Sequence, residues 1–196
     1  MSPFPRRMDD GARAGAFLDR DGTVIADTVH VSRVQDVRLL PDAGAAIARL
    51  NEADIPVIVI TNQSGIARGY FGEGEYEVVR AEVDAMLASM NARIDASYHC
   101  PHHPDITGLC DCRKPGPALY ELAAKEHAID LSRSVFIGDR WRDVAAALRF
   151  GGRGVLLVSD ATAADERERA GRDAETAPTL GSAVDMLLRS GWPRSE

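Results

Sequence analysis

The chain has 196 residues, of which 45% are hydrophobic and 27% are charged, a balance that is typical of a single folded domain. Its net charge of −7 argues against broad binding to nucleic acid or to an anionic membrane, because both partners require a positive field. No apolar run is long enough to span a membrane, and the N-terminal residues include no apolar signal segment. We therefore expect a cytoplasmic protein with a flexible N-terminal tail over 1–13, one domain over 14–190 and a C-terminal tail over 191–196.

Four short apolar runs are typical of buried strands, because they are rich in β-branched residues, show no polar alternation and end in polar residues. They cover residues 14–19, 55–62, 134–139 and 154–160. Helical spacing of apolar residues is found over 42–52, 75–90, 117–127 and 141–150, and again over 179–190. The polar segment 159–178 is expected to be a solvent-exposed helix or a mobile loop with no chemical role.

This alternation of strands and helices predicts an α/β fold. The expected architecture is a three-layer, doubly wound parallel sheet of the Rossmann-like type, with helices on both faces. Ligands bind such sheets outside the carboxyl ends of the strands. Candidate site residues should therefore directly follow the apolar runs.

An acidic turn, FLDRDGTV at residues 17–24, follows the first predicted strand. Asp19 and Asp21 are one residue apart, so both side chains point to one face and could bind one cation. On spacing alone, a D-x-D pattern is more often a polar loop. A calcium-binding loop is excluded, because counting from Asp19 the glycine stands at position four rather than six and position twelve is His30 rather than glutamate. The sequence also has no Walker A loop.

All three cysteines lie in one stretch, CPHHPDITGLCDC, at residues 100–112. Its spacing, C-x-H-x7-C-x-C, supplies a complete tetrahedral zinc set of three thiolates and one imidazole: Cys100, His102, Cys110 and Cys112. A complete set leaves no open position for water, which favours a structural role. The one-residue gaps differ from the usual C-x2-C knuckle, and the adjacent His103 is a rival ligand.

The DRDGT turn closely resembles the first motif of the haloacid dehalogenase superfamily of phosphatases, and three further motifs follow in the order of that family. Thr61 lies in ITNQSG after the second predicted strand, Lys114 lies in a later loop, and Asp139 and Asp143 lie in IGDRWRD. The resemblance implies the haloacid dehalogenase type of fold. We expect it to be essentially capless, since only about forty residues separate the first two motifs. Asp143 would orient Lys114 or the metal-bound waters.

The same resemblance implies a mechanism for hydrolysis of a phosphate ester. Asp19 would attack phosphorus and form an aspartyl-phosphate, while Asp21 would protonate the leaving group and later take a proton from water. Mg²⁺ would be bound by Asp19, the backbone carbonyl of Asp21 and the carboxylate of Asp139. Thr61 and Lys114 would stabilise the transferring phosphoryl group.

A narrower resemblance, to the D-glycero-D-manno-heptose 1,7-bisphosphate phosphatases and the related histidinol-phosphate phosphatases, rests on three stretches. These are the cysteine stretch followed by CRKP, together with TNQSGIARGYF and YHCPHHP. The resemblance implies a zinc-binding loop over 98–117 and a substrate-binding set that comprises Asp27, His30, Asn62, Gln63, Ser64, Arg113 and Arg140. Within this set, Arg113 would contact a remote second phosphate.

The sequence thus predicts an Mg²⁺-dependent phosphatase with structural Zn²⁺ that removes the C7 phosphate of the heptose bisphosphate, in nucleotide-activated heptose biosynthesis. The spacer between His102 and Cys110 is short, which keeps histidinol phosphate as an alternative substrate. The acidic balance disfavours a DNA 3′-phosphatase. From another class, a catalytically inactive, zinc-stabilised binding protein is an alternative. We expect a monomer that acts on a small phosphorylated sugar, without a nucleic-acid or membrane partner.

Overall fold

The computed structural model describes residues 12–28, 30–160 and 162–193. Within these ranges, six parallel strands form one sheet in the order β3-β2-β1-β4-β5-β6. The strands are β1 (Ala16–Leu18), β2 (Val57–Asn62), β3 (Ala96–Cys100), β4 (Val135–Gly138), β5 (Arg153–Leu157) and β6 (Glu175–Ala177). The strand order reverses between β1 and β4. Sheets of this class bind ligands at such a switch point.

The four strands predicted from apolar runs are confirmed as β1, β2, β4 and β5, which form the interior of the sheet. The two edge strands, β3 and β6, were not predicted. β3 has the mixed sequence ASYHC, in which only Cys100 is buried, and β6 has only three residues. An edge strand is covered less completely than an interior one, so its sequence carries a weaker apolar signal. The polar segment 159–178 accordingly contains β6 as well as a helix.

The helices of the described ranges are α1 (Ala43–Glu52), α2 (Ser64–Ala67), α3 (Glu73–Ala88), α4 (Pro104–Thr107), α5 (Ala118–His127), α6 (Trp141–Val144), α7 (Ala146–Phe150), α8 (Ala164–Asp173) and α9 (Leu180–Arg189). The single helix predicted over 141–150 is interrupted at Ala145 and forms α6 and α7. Within the described part of the chain, no helix combines the length and apolar character needed to cross a membrane.

Two hydrophobic clusters cover the two faces of the sheet. Neighbouring residues of β1 point to opposite faces, so Leu18 belongs to one cluster and Phe17 to the other. The first cluster includes buried residues of α1, α3 and α9, such as Leu50 and Leu187. The second includes residues of α5 and α7, such as Tyr120. The predicted three-layer architecture is therefore confirmed.

Aromatic rings fill the second face beneath β1 and β4. Phe17 stacks on Phe136 with ring centroids 5.2 Å apart, and Tyr120 packs edge-on against Phe17 at 5.6 Å. The Tyr120 hydroxyl donates a hydrogen bond to the carbonyl of Asp143 at 3.3 Å. This contact connects the aromatic core to α6, which carries Asp143.

The inner ends of both predicted tails are attached to the core, while residues 1–11 and 194–196 lie outside the described ranges. The backbone amide of Arg13 hydrogen-bonds to a carbonyl at 3.1 Å. Trp192 is 7% exposed and donates from Nε1 to the carbonyl of Arg133 at 2.8 Å. Trp192, which lies in the segment expected to be a C-terminal tail, therefore packs against the rest of the domain.

Trp192→Ala is expected to lower the free energy of unfolding by about 3–5 kcal/mol, because it removes a large buried ring. Trp192→Phe keeps most of the ring and loses one hydrogen bond, so the loss should be about 1 kcal/mol. Urea unfolding followed by circular dichroism measures both changes. A loss below about 1 kcal/mol for Trp192→Ala would show that this ring does not belong to the core.

Candidate active site

The predicted phosphatase residues lie at the carboxyl edge of the sheet. Asp19 directly follows β1, Thr61 lies near the end of β2, and Asp139 directly follows β4. β1 pairs in parallel with both β2 and β4, so the ends of these three strands meet at one edge. Residues that are far apart in the chain therefore converge there.

The Lys114 ammonium is buried at this edge. Its Nζ lies 2.5 Å from Asp19 Oδ1 and 2.8 Å from Asp143 Oδ1, and it donates a hydrogen bond to the carbonyl of Ile60 at 2.6 Å. The residue is 3% exposed. Burial alone lowers the pKa of a lysine, but attraction to Asp143 and Asp19 outweighs this effect and raises the pKa of Lys114 well above its ordinary value. Lys114 therefore remains charged beside Asp19.

Three carboxylates gather around this lysine. Oxygen atoms of Asp19, Asp139 and Asp143 lie within 4.8 Å of one another. Burial raises the pKa of Asp19 to about 8, against the effect of Lys114 and with the help of neighbouring carboxylates. Burial, assisted by Asp143, also raises the pKa of Asp139 to about 6. A bound cation relieves such repulsion, and an all-oxygen set of ligands fits Mg²⁺.

Asp143 belongs to this group but has other partners. Its Oδ1 pairs with Lys114, and its Oδ2 accepts the backbone amide of Arg140 at 3.0 Å. A Cβ added to Gly138 would lie 2.3 Å from the Cβ of Asp143, so glycine at this position allows the close approach. Asp143 is therefore placed to orient Lys114, which is one of the two roles expected for it.

Asp21 contacts two residues of the second motif. Its Oδ2 accepts hydrogen bonds from Gln63 Nε2 at 2.9 Å and from Thr61 Oγ1 at 3.4 Å. Thr61 is fully buried, and its Oγ1 also accepts from Gln63 Nε2 at 2.8 Å. The neighbouring Arg20 pairs with Asp21 as well. Arg20 was not predicted as a site residue, although its place inside the DRDGT turn is a sequence signal for such a role.

Asn62 connects β2 to the loop that carries Lys114. Its Oδ1 accepts the backbone amide of Lys114 at 2.9 Å, and its Nδ2 donates to the Lys114 carbonyl at 3.3 Å. These two hydrogen bonds hold the lysine backbone in place, a contribution that the sequence did not reveal. Ser64 begins α2, and its carbonyl accepts the amide of Arg68 at 3.1 Å.

The four predicted zinc ligands, Cys100, His102, Cys110 and Cys112, converge at the end of β3 and are called the cysteine cluster. Their ligand atoms lie within 4.8 Å of one another. The Sγ–Sγ distances run from 3.0 Å between Cys112 and Cys100 to 3.7 Å between Cys100 and Cys110. These distances are too long for a disulfide and approach the edge of about 3.8 Å in a tetrahedron with Zn–S bonds of about 2.3 Å. The geometry of the cluster therefore fits zinc.

Two predicted arginines lie beside these groups. Arg113 follows the cysteine cluster directly and donates from Nη1 to the carbonyl of His102 at 3.2 Å. Arg140 Nε lies 3.3 Å from Asp139 Oδ2. Arg140 thus contacts a carboxylate of the central group, whereas Arg113 contacts the backbone of the cysteine loop.

The remaining predicted substrate residues, Asp27 and His30, are exposed at the surface. The ring of His30 packs 5.0 Å from the ring of Tyr70, between centroids. His103, the rival zinc ligand, instead lies 2.6 Å from Arg68 through Nε2. The His30 and His103 contacts therefore join loops, whereas the charge of Asp27 adds to the effect of burial in raising the pKa of Asp139.

Gly22 allows the acidic turn to approach Asp139. Its φ is +84°, in the left-handed region that favours glycine, and a Cβ at this position would lie 2.6 Å from Asp139 Oδ2. A larger residue would therefore have to displace Asp139.

Gly22→Ala is expected to lower the rate of phosphate-ester hydrolysis by about 100-fold, because small displacements of site groups have effects of this size. Gly151→Ala is a matched control. Gly151 also has a positive φ, of +78°, but nothing lies within 4 Å of its added Cβ. The control should lose some stability and keep its rate. Equal rates for both variants, measured as phosphate release at one Mg²⁺ concentration, would contradict the role assigned to Gly22.

Comparison with known proteins identifies relatives of this chain. Residues 111–183 match the family described as HAD-hydrolase-like. The D-glycero-beta-D-manno-heptose-1,7-bisphosphate 7-phosphatase of Photorhabdus laumondii is 39% identical over 136 residues, which cover 67% of this chain and 72% of the relative. The D-glycero-alpha-D-manno-heptose-1,7-bisphosphate 7-phosphatase of the same organism is 33% identical over 141 residues, which cover 69% and 77% of the two chains.

A solved structure extends the likeness to the whole fold. It is the D,D-heptose 1,7-bisphosphate phosphatase from B. bronchiseptica, complexed with magnesium and phosphate. Its TM-score is 0.81 at 32% identity, and the match covers 90% of this chain and 99% of that chain. The chain therefore belongs to the D-glycero-D-manno-heptose 1,7-bisphosphate phosphatase family of haloacid dehalogenase-like hydrolases.

Proposed function

We propose that this protein hydrolyses the C7 phosphate of D-glycero-D-manno-heptose 1,7-bisphosphate through an aspartyl-phosphate, in the biosynthesis of nucleotide-activated heptose. One observation carries the proposal: Asp19 lies at the end of β1 beside Lys114 and Asp139, in a chain 39% identical to a heptose bisphosphate phosphatase. Relatives named for the beta and for the alpha anomer both match, so both anomers are candidate substrates.

Asp19 is the proposed nucleophile. Its backbone amide donates to the carbonyl of Ile137 at 2.9 Å, which fixes its position after β1. A bond forms between an Asp19 oxygen and phosphorus while the bond from phosphorus to the sugar oxygen breaks. Asp21 gives a proton to that sugar oxygen and later takes one from the water that hydrolyses the aspartyl-phosphate. Both side chains then return to their starting states.

Charge on the transferring phosphoryl group is the main obstacle to this reaction, and Lys114 and Thr61 are placed to reduce it. Asp19, Asp139 and the backbone carbonyl of Asp21 would hold Mg²⁺. When bound, this ion neutralises negative charge on the phosphate and on the surrounding carboxylates. The B. bronchiseptica relative, solved with magnesium and phosphate, supports this assignment.

Arg113 and Arg140 are the proposed cationic contacts for the rest of the substrate. Arg113 would bind the second phosphate, since a guanidinium can donate two hydrogen bonds to one phosphate group. Asn62 and Gln63 already hold Lys114 and Asp21, so we assign both to positioning as well as to substrate binding. Heptose bisphosphates are favoured over histidinol phosphate because the matched relatives act on heptose.

The substrate assignment is tested by phosphate release from both heptose 1,7-bisphosphate anomers, histidinol phosphate and fructose 1,6-bisphosphate in the presence of Mg²⁺. We expect kcat/KM to be highest for one heptose anomer, by about 100-fold over histidinol phosphate. Asp19→Asn should reduce release to background. Asp54→Asn is the control, because Asp54 is 86% exposed and pairs with Arg13 outside the site. A preference for histidinol phosphate, or an active Asp19→Asn variant, would overturn the proposal.

We also propose that the cysteine cluster binds one structural Zn²⁺. Its four ligand groups complete a tetrahedron and leave no position for a reacting water. Cys112 lies two residues before Lys114, and Cys100 is the last residue of β3. The metal would therefore attach the loop that carries Lys114 to the sheet.

Zinc content, measured by mass spectrometry after purification with zinc present, tests this site. Wild type should contain about one zinc per chain, and His102→Asn should retain much less, because it removes one of the four ligands. His103→Asn is the matched control and should retain the metal, since His103 contacts Arg68 instead of the thiols. Equal losses in both variants would contradict the assignment of His102, and zinc-free wild type would contradict the site itself.

A further inference from the structure

Arg20 is a buried, charged residue that the mechanism leaves without a role. It lies between Asp19 and Asp21 and is only 4% exposed. Its Nε is 3.2 Å from Asp21 Oδ2, and its Nη2 is 3.1 Å from Asp21 Oδ1 and 3.0 Å from Asp21 Oδ2. This two-point contact is the geometry in which a guanidinium holds a carboxylate most firmly. Its Nη1 finds no acceptor in the described part of the chain.

The two oxygens of Asp21 are used unequally. Within the described ranges, Oδ2 receives Arg20 Nε at 3.2 Å, Gln63 Nε2 at 2.9 Å and Thr61 Oγ1 at 3.4 Å. The nearest donor to Oδ1 is Arg20 Nη2 at 3.1 Å. Since a carboxylate oxygen has two lone pairs, Oδ2 is saturated while Oδ1 keeps capacity for a proton. Oδ2 therefore holds the Asp21 side chain in place, and Oδ1 is the oxygen that can carry a proton.

Aromatic packing fixes the guanidinium from another side. The Cζ of Arg20 lies 5.6 Å from the ring centroid of Tyr76, which is 2% exposed. The Tyr76 ring packs against His99 with centroids 4.0 Å apart, and His99 Nε2 lies 2.8 Å from Glu73 Oε2. A buried cation over an aromatic face is attracted to it. Arg20 is thus held between Asp21 and Tyr76.

We propose that Arg20 is a positioning residue for the proton transfers of Asp21, and that Oδ1 of Asp21 is the oxygen that carries the proton. This proposal rests on the proposed function, because it specifies how the acid and base of that reaction is aimed. A buried guanidinium is costly to desolvate, and an apolar residue would fill the same space at lower cost. The contact between Arg20 and Asp21 offsets part of this cost and explains why a charged residue is found at this position.

Each proton transfer is balanced at this oxygen. When the bond between phosphorus and the sugar oxygen breaks, the proton on Asp21 Oδ1 passes to the sugar oxygen and leaves a carboxylate. Arg20 stabilises that carboxylate while the phosphoryl group is on Asp19. The attacking water then gives a proton to the same Oδ1 as its oxygen bonds to phosphorus, and Asp19 is released. Arg20 itself neither gains nor loses a proton.

Substrates with different leaving groups distinguish a positioning role of Arg20 from a purely structural one. A sugar alkoxide needs a proton from Asp21 to leave, whereas 4-nitrophenolate leaves without one. The parameter kcat/KM includes the steps up to departure of the leaving group and excludes the later attack of water. We expect Arg20→Met to lower kcat/KM about 10- to 100-fold for the wild-type enzyme's best sugar phosphate, but less than about threefold for 4-nitrophenyl phosphate. Asp21→Asn should show the same selectivity.

Two further variants complete the experiment. Arg153→Met is the matched control, because Arg153 makes a similar two-point contact with Glu175, at 2.9 Å from both Nε and Nη2. Arg153 begins β5, whereas the site lies at the carboxyl edge of the sheet. Arg153→Met should show no selectivity between leaving groups. Arg20→Lys keeps the positive charge but cannot make the two-point contact. It should show a smaller loss of kcat/KM for the sugar phosphate, again with little loss for 4-nitrophenyl phosphate, and it replaces Arg20→Met if that variant does not fold.

The outcomes are distinguishable from failure of the proposed function. Wild type that releases phosphate from neither substrate contradicts the function, and Asp21→Asn without selectivity contradicts the assignment of the acid. If wild type and Asp21→Asn behave as expected, an equal loss for both substrates in the folded Arg20 variants assigns Arg20 a structural role only and overturns the inference. Unchanged kcat/KM for the sugar phosphate in Arg20→Met or Arg20→Lys overturns it too.

Discussion

The buried ion pair between Lys114 and two carboxylates, Asp19 and Asp143, is the interaction on which the rest of the site depends. Lys114 is 3% exposed, so its charge has little water to solvate it and needs both acidic partners. With Asp139, three carboxylates face this one ammonium. Burial, reinforced by the neighbouring carboxylates, raises the pKa of Asp19 and of Asp139, and a divalent cation would bring the group to neutrality. The excess of negative charge that destabilises the site without a metal therefore also gives the site its affinity for a divalent cation.

The backbone around Lys114 explains how so costly an arrangement is held. Asn62 makes hydrogen bonds with both the amide and the carbonyl of Lys114, and Asn62 pairs in register with Cys100 on β3. The cysteine cluster begins at Cys100 and ends at Cys112, two residues before the lysine. The loop is therefore attached to the sheet at both of its ends, next to the strand that precedes Asp19. A structural metal in this loop would act on the chemistry through the position of the lysine and would need no contact with substrate.

The sequence predicted the interior strands and the motif residues, because each has a pattern with a clear physical cause. Short, continuous apolar runs rich in β-branched residues predicted the four interior strands, because a strand covered on both faces is apolar along its length. The mixed sequence of β3 and the three residues of β6 carried no such signal. The motifs predicted the acidic turn and Thr61 at strand ends and Lys114 in a later loop, and the structure brings these residues together at one edge of the sheet. The sequence could not reveal that Asn62 holds the Lys114 backbone or that Arg20 turns toward Asp21. The Asn62 contact depends on segments that meet only in three dimensions. Arg20 and Asp21 are neighbours in one turn, but the direction of the Arg20 side chain could not be predicted, because an arginine in a polar turn is usually a solvated surface residue.

The division between chemistry and selectivity follows from the same architecture. The reacting groups lie on the ends of β1, β2 and β4, which are fixed by the sheet and by the aromatic core beneath it. The outer loops contact one another instead: His30 packs against Tyr70, Arg68 contacts His103, and the amide of Ala67 donates to the carbonyl of Pro101 at 3.1 Å. These contacts join His30, residues 65–71 and the cysteine loop into one connected group of segments. Changes near His30 or in 65–71 can therefore alter which phosphorylated sugar fits without moving Asp19, which the sheet supports, whereas changes in the cysteine loop also act on Lys114, which that loop carries.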